Sequence, residues 1–180
     1  TDANSCTATA SATILARLAI TATPSATACA DTVGSITVTA TGGVGPYIYR
    51  RLRAGSPDSV SVTSAANSHV FTNVPFGLWT IKVIDATGCT RTINNVRIAG
   101  PLVASGVVAT VPCGGTSTTI VVTASQGLPP YTGTGTFPVT VGVPYSFTVM
   151  DARGCSATVS GVVNAPFCPT VTEVIYPRYV

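Results

Sequence analysis

The chain has 180 residues, of which 46% are hydrophobic and only 8% charged, with a formal net charge of +3. So low a charged fraction, about a third of the ordinary one, leaves too few basic residues for a phosphate-tracking nucleic-acid surface. No membrane span is expected: no apolar run approaches the roughly 18 to 20 residues a spanning helix needs, and the most apolar early stretch, residues 14–20, is split by Arg17.

Residues 1–20 lack a charged start followed by an apolar run and a cleavage site. The chain therefore reads as already processed or as a segment of something longer. Val, Ala and Ile then alternate with Thr and Ser, a composition that suits half-buried strands. Period-two alternation predicts strands at 35–41, 47–52, 60–63, 69–72, 78–85, 90–98, 118–124, 144–151 and 156–163. Turn signals separate them at Gly42-Gly43, Ser56-Pro57-Asp58, Gly88, residues 127–130 and Gly154. No helical face appears. The basic cluster "RRLR" at residues 50–53 reads as a solvated edge that discourages sheet-to-sheet pairing.

The chain repeats itself. Cys29, Ile36, Val38, Thr39, Ala40, Gly43, Pro46 and Tyr47 recur as Cys113, Ile120, Val122, Thr123, Ala124, Gly127, Pro130 and Tyr131, at a constant offset of 84 residues. "WTIKVIDATGC", ending at Cys89, recurs as "YSFTVMDARGC", ending at Cys155, at an offset of 66. Repeat two is therefore 18 residues shorter in its middle, where repeat one has a Ser/Asn-rich region at 55–67 that reads as a loop or an extra hairpin. "TDANSC", ending at Cys6, matches "IDATGC", and Cys168 after Pro166-Phe167 resembles Cys113 after Val111-Pro112. The expected organisation is all-β: two tandem immunoglobulin-like β-sandwich domains at 23–99 and 100–166, with strand-like N- and C-terminal extensions. Residues 1–22 would close a preceding or neighbouring repeat. Residues 167–180 would begin a next one. Glycine pair and Pro-Tyr mark the corner where one strand ends and the next begins, with the tyrosine ring packed over the sandwich end.

Six cysteines stand at 6, 29, 89, 113, 155 and 168, with no CxxC and one histidine, His69, so zinc is not expected. The simplest pairing is Cys29–Cys89 and Cys113–Cys155, one disulfide per domain, which implies an oxidising extracellular compartment. Pairing across repeats, Cys6–Cys29 with Cys89–Cys113, stays open. So do the partners of Cys6 and Cys168: each other, a neighbouring subunit, further repeats of a longer chain, or none.

No catalytic constellation stands out, and no cofactor or metal is expected. His69, in "NSHVF", reads as a solvent-facing strand residue. Asp2, Asp85 and Asp151 share the repeated "DAxxC" position. That repetition predicts a turn in which the carboxylate accepts backbone N–H bonds; calcium at domain junctions is the alternative, and it needs several clustered oxygens. Trp79, Tyr145, Phe71, Phe76 and Phe147 read as sandwich core rather than a sugar platform.

"CADTVGSITVTATGGVGPYIY" with "GLWTIKVIDATGC", and "CGGTSTTIVVTASQGLPPY" with "YSFTVMDARGC", resemble the SprB-type repeats of large gliding-motility surface adhesins of Bacteroidetes-type bacteria. The match covers most of the chain. Departures are Gly45 for the first proline of the corner, Gln126 for the first glycine and Gly133 for the second aromatic, so the corner of repeat two is expected to differ. The resemblance implies secretion to the cell surface and an adhesive or filament-forming role. It also implies O-glycosylation at Asp-Ser/Thr before an apolar residue, which makes Thr32 in "DTV" and Ser59 in "DSV" candidates.

The expectation is thus a non-enzymatic extracellular structural repeat protein. It forms or belongs to a surface filament, with subunits joined head to tail by strand addition of the tail; Cys6 and Cys168 are candidates for disulfides between subunits or repeats. The alternative is an adhesin segment whose loops, such as residues 50–58, bind glycans or surfaces. A third reading is an accessory domain of a secreted hydrolase. Expected partners are copies of itself, neighbouring repeats or glycans.

Overall fold

The computed structural model describes residues 3, 16–25, 28–53 and 59–168. It is all-β, with antiparallel sheets throughout. No helix among the described residues is long and apolar enough to cross a membrane. The chain divides into two compact units, Thr1–Ala99 and Gly100–Val180.

Unit one holds β1 (Ala19–Pro24), β2 (Val33–Thr41), β3 (Tyr47–Leu52), β4 (Ser59–Ser64), β5 (Ser68–Pro75), β6 (Gly77–Ile84) and β7 (Thr90–Ile98). They form two sheets, ordered β1-β2-β5 and β4-β3-β6-β7. Alternation decides which residues meet. Ile36, Val38 and Ala40 of β2 and Phe71 and Val74 of β5 face Tyr47 and Tyr49 of β3, Trp79, Ile81 and Val83 of β6, and Val96 and Ile98 of β7. Burying these side chains, at about 1.5–3 kcal/mol for each large one, is what holds the two sheets together. The inserted residues of repeat one are now placed: β4 pairs along the whole of β3, from Tyr47↔Ser64 to Leu52↔Ser59.

That pairing corrects one expectation. The basic cluster does not lie on an edge, because β3 sits between β4 and β6. Alternation turns Arg51 inward after Tyr47 and Tyr49, and its guanidinium lies 4.9 Å from the Trp79 ring centre. Arg53 approaches the same ring at 5.7 Å. Such contacts let a cation share the core with an aromatic face. His69 is likewise not simply solvent-facing: it is half-buried between Tyr49, at 5.6 Å, and Phe71, edge-on at 4.6 Å.

Unit two holds β8 (Val103–Val108), β9 (Ser117–Ser125), β10 (Gly135–Thr140), β11 (Pro144–Met150) and β12 (Ser156–Val162), in sheets ordered β10-β9-β8 and β11-β12. Its core is smaller, centred on Ile120, Val122, Val139, Val149 and Val163. The registers match between repeats: Ile36 faces Phe71 as Ile120 faces Phe137. The 18 missing residues remove β4 and reduce β3 to one bridge, Thr132↔Met150.

β1, β8 and β10 escape the period-two reading. β1 and β8 are equivalent strands, each paired along β2 or β9. β8 contains Gly106, where a Cβ would stand 2.7 Å from both Ile120 and Val159 side chains. The close packing needs a glycine there, and a glycine breaks the apolar pattern. β10 carries Pro138, which its edge position tolerates. β1 also runs through the boundary drawn at residue 22, so its residues belong to unit one rather than to a preceding repeat. The start of that segment and the tail from residue 169 lie outside the described residues.

The register makes a direct prediction for β9. Ile120 is fully buried and Val121 is exposed. Ile120→Ala should cost about 2–5 kcal/mol in urea unfolding, and Val121→Ala less than about 0.5 kcal/mol. Equal costs would mean that the strand is turned over.

Candidate functional site

The repeated Asp-Ala pair opens a turn at the end of β6 and of β11. Asp85 N–H donates to the Cys89 carbonyl and Gly88 N–H returns to the Asp85 carbonyl, both at 3.0 Å. Asp151 does the same with Cys155 and Gly154, at 2.9 Å each. The carboxylate then closes the turn from inside. Asp85 Oδ1 accepts from the N–H of Thr87 and of Cys89, both 2.9 Å, and from the Thr87 hydroxyl at 2.6 Å. Asp151 Oδ1 accepts from the N–H of Arg153 at 2.8 Å and of Cys155 at 3.0 Å.

The second carboxylate oxygen reaches across to the corner. Asp85 Oδ2 accepts from Val44 N–H at 3.3 Å, and Asp151 Oδ2 from Leu128 N–H at 3.0 Å. Glycine precedes both donors for a steric reason. A Cβ on Gly43 would lie 2.7 Å from Asp85 Oδ2, and one on Gly127 would lie 2.8 Å from Asp151 Oδ2. The tyrosine of the corner adds another tie: Tyr47 OH donates to the Gly42 carbonyl at 2.9 Å and Tyr131 OH to that of Gly127 at 3.2 Å. The acceptor has moved by one residue in repeat two, where Gln126 occupies the Gly42 position with φ of 67°. The corners thus share a plan and differ in this bond.

These oxygens face N–H and O–H donors, which is the turn reading rather than a calcium cage. Among the described residues no group of three or more His, Cys, Asp or Glu could hold a metal. Asp2 lies outside them. The donors set the acidity. The Thr87 hydroxyl is the chief cause that Asp85 lies below the ordinary carboxylate value. The N–H groups of Cys89, Val44 and Thr87 add to it and outweigh burial. Burial pushes Asp151 up. The N–H groups of Leu128, Cys155 and Arg153, with the Arg153 guanidinium, more than reverse it, so Asp151 too is lowered.

The repeats differ in what covers the knot. In unit two Arg153 donates through Nε to Asp151 Oδ2 at 3.1 Å and through Nη2 to the Gly100 carbonyl at 2.7 Å. Thr87 stands in that position in unit one, and a cleft of about 330 Å³ opens beside it. Leu18, Val44, Thr87, Cys89 and Arg91 are among its walls. Arg91 Nε donates to the Leu18 carbonyl at 2.9 Å. A second, smaller hollow of about 130 Å³ lies between β3 and β4.

The cysteines do not pair as the repeat suggests. Cys113 is bonded to Cys168, with Cα atoms 5.7 Å apart and 55 residues between them. Cys113–Cys155 is therefore not formed. Cys168 is spent within its own unit and is not a link to a neighbouring subunit. Cys29–Cys89 is not formed either: Cys89 is an exposed free thiol next to the Thr87 hydroxyl. Cys29 carries no free thiol, and neither does Cys155, which is buried. Cys6 lies outside the described residues. The physical reason is visible in the knots. The closing cysteine is held by its backbone N–H on the aspartate in both repeats, so its repetition reports the turn and does not by itself name the disulfide partner. Closing a loop as long as that between Cys113 and Cys168 is worth about 4 kcal/mol in the chain-entropy picture. Thr32 and Ser59 are both exposed; Asp58 lies outside the described residues.

No protein-family model matches the chain, and no curated protein matches it.

Two predictions follow from the knots. Native aspartates of lowered pKa bind fewer protons than the unfolded chain in acid. Their stabilisation is complete above about pH 4, the ordinary Asp value, and is lost as pH falls through the lower native values. Urea midpoints measured from pH 6 to pH 2 should fall below pH 4, and Asp151→Asn should flatten the loss in unit two; a midpoint independent of pH would contradict this. Gly127→Ala should cost about 1–3 kcal/mol through overpacking against the carboxylate, read from the same urea curves.

Proposed function

We propose that this chain is a non-enzymatic structural repeat protein of the cell exterior, built of immunoglobulin-like units of the SprB type and assembled into a filament or surface array. The observation that carries the reading is that one frame, an aspartate-knotted corner under two antiparallel sheets, is built twice, with the corner and the aspartate recurring at different sequence offsets. Repetition of one frame, with loops that vary around it, is how repeat proteins build extended structures. The Cys113–Cys168 disulfide supports an oxidising compartment. Low charge supports close approach of copies, because little electrostatic repulsion opposes it. Subunits join head to tail by strand addition, a contact that does not close and therefore propagates.

The joint is not a Cys168 disulfide. Negative-stain electron microscopy and sedimentation of the purified chain over a hundredfold concentration range test the reading. Filaments that lengthen with concentration and persist in reductant are expected. Monomers at every concentration, together with saturable glycan binding on an array, would replace this reading with the adhesin one. Intact mass of native protein tests glycosylation at Thr32 and Ser59; an unmodified mass removes it.

A further inference from the structure

We propose that the free edge of β11 is an acceptor slot for one added strand, and that its occupant is residues 174–178 of a second copy of the chain. The inference rests on the filament reading and names the joint.

The slot follows from comparing the units. In unit one β3 pairs with β6 from Ile48↔Ile84 to Leu52↔Thr80. In unit two only Thr132↔Met150 survives, with N–H to carbonyl bonds of 2.9 and 3.0 Å. Gly133 then passes against the Thr148 carbonyl, and the chain leaves to form β10 at Gly135. β11 pairs with β12 on its other side. Among the described residues, no strand pairs with the remaining length of its open side.

Side-chain exposure agrees. Trp79 and Ile81 of β6 are buried, whereas their equivalents Tyr145 and Phe147 of β11 are only partly so. Thr80, Lys82 and Ile84 are half-buried, whereas Ser146, Thr148 and Met150 are exposed. Phe137, Phe147 and Tyr145 form a row, with ring centres 4.7 and 5.9 Å apart, that remains partly uncovered. A sheet edge with bare main-chain groups beside an incomplete apolar face is what an added strand satisfies.

The occupant is written in the sequence. β3 begins Tyr47-Ile48-Tyr49-Arg50-Arg51, and residues 174–178 read Val174-Ile175-Tyr176-Pro177-Arg178. Ile, Tyr and the second Arg recur at one spacing. As a strand this places Val174, Tyr176 and Arg178 on one face, as Tyr47, Tyr49 and Arg51 share the buried face of β3. Pro177 withholds an N–H, so pairing runs along β11 through Tyr176 and ends there, as proline in an edge strand requires.

The test uses the full chain. Isotope-labelled Tyr176→Asp chains, whose own tail carries a charge on the inserting face, are mixed with unlabelled native chains, and amide exchange is read at Ser146 and Thr148. Exchange there should slow about tenfold, as new hydrogen bonds of ordinary net strength give, and should do so increasingly with unlabelled concentration. Unlabelled Ile175→Asp, altered on the opposite face, should act like native chain, and unlabelled Tyr176→Asp should not act. Unchanged exchange overturns the proposal. So does protection in native chains alone that is independent of dilution, which would place each tail on its own edge. Filaments that persist in Tyr176→Asp leave the filament reading standing and sink this joint. Protection without filaments does the reverse.

Discussion

A carboxylate enclosed by N–H donors is the constraint on which each unit depends. Asp85 stands at the end of β6 and Asp151 at the end of β11, where the chain must reverse and where the corner from the facing sheet arrives. Two loops distant in sequence thus share one acceptor, and the sheets are pinned at that end. The alternative would be several part-buried amides without a protein partner, an unfavourable arrangement. One aspartate per repeat replaces that cost with charge-assisted bonds. The glycine of the corner is a consequence of letting the two loops approach, whereas the glycine of the turn answers to its positive φ.

Much of this was legible beforehand, because it is local. The alternation of Ile36, Val38 and Ala40 with threonines states a half-buried strand, and the recurrence of "DAxxC" states a turn with a carboxylate in it. What was not legible depends on distance between remote residues. Cys113 finds Cys168 rather than Cys155, although the repeat invites the latter, since equivalence of position says nothing of Sγ separation. Arg51 reads as a surface charge until β4 is known to cover β3 and Trp79 to lie beneath it. Strands carrying Gly106 or Pro138 hide because packing and edge position, not alternation, admit those residues.

The two repeats also show how one frame tolerates opposite changes. Thr87 leaves a cleft where Arg153 closes the knot with two charged hydrogen bonds. Removal of one hairpin leaves unit two with a two-stranded sheet and a smaller core. A unit so reduced gains from a disulfide that spans most of its length, and from any strand that restores the lost neighbour.

The most direct measurement of the central claim is a carbon-detected NMR titration of the side-chain carboxyls of Asp85 and Asp151 in the intact chain. The account predicts midpoints for both below the value of about 3.9 found for an unconstrained aspartate, with the amide signals of Val44, Cys89, Leu128 and Cys155 shifting in the same step. Midpoints at or above that value, or amides indifferent to the carboxyl titration, would show that the carboxylates do not hold the corners.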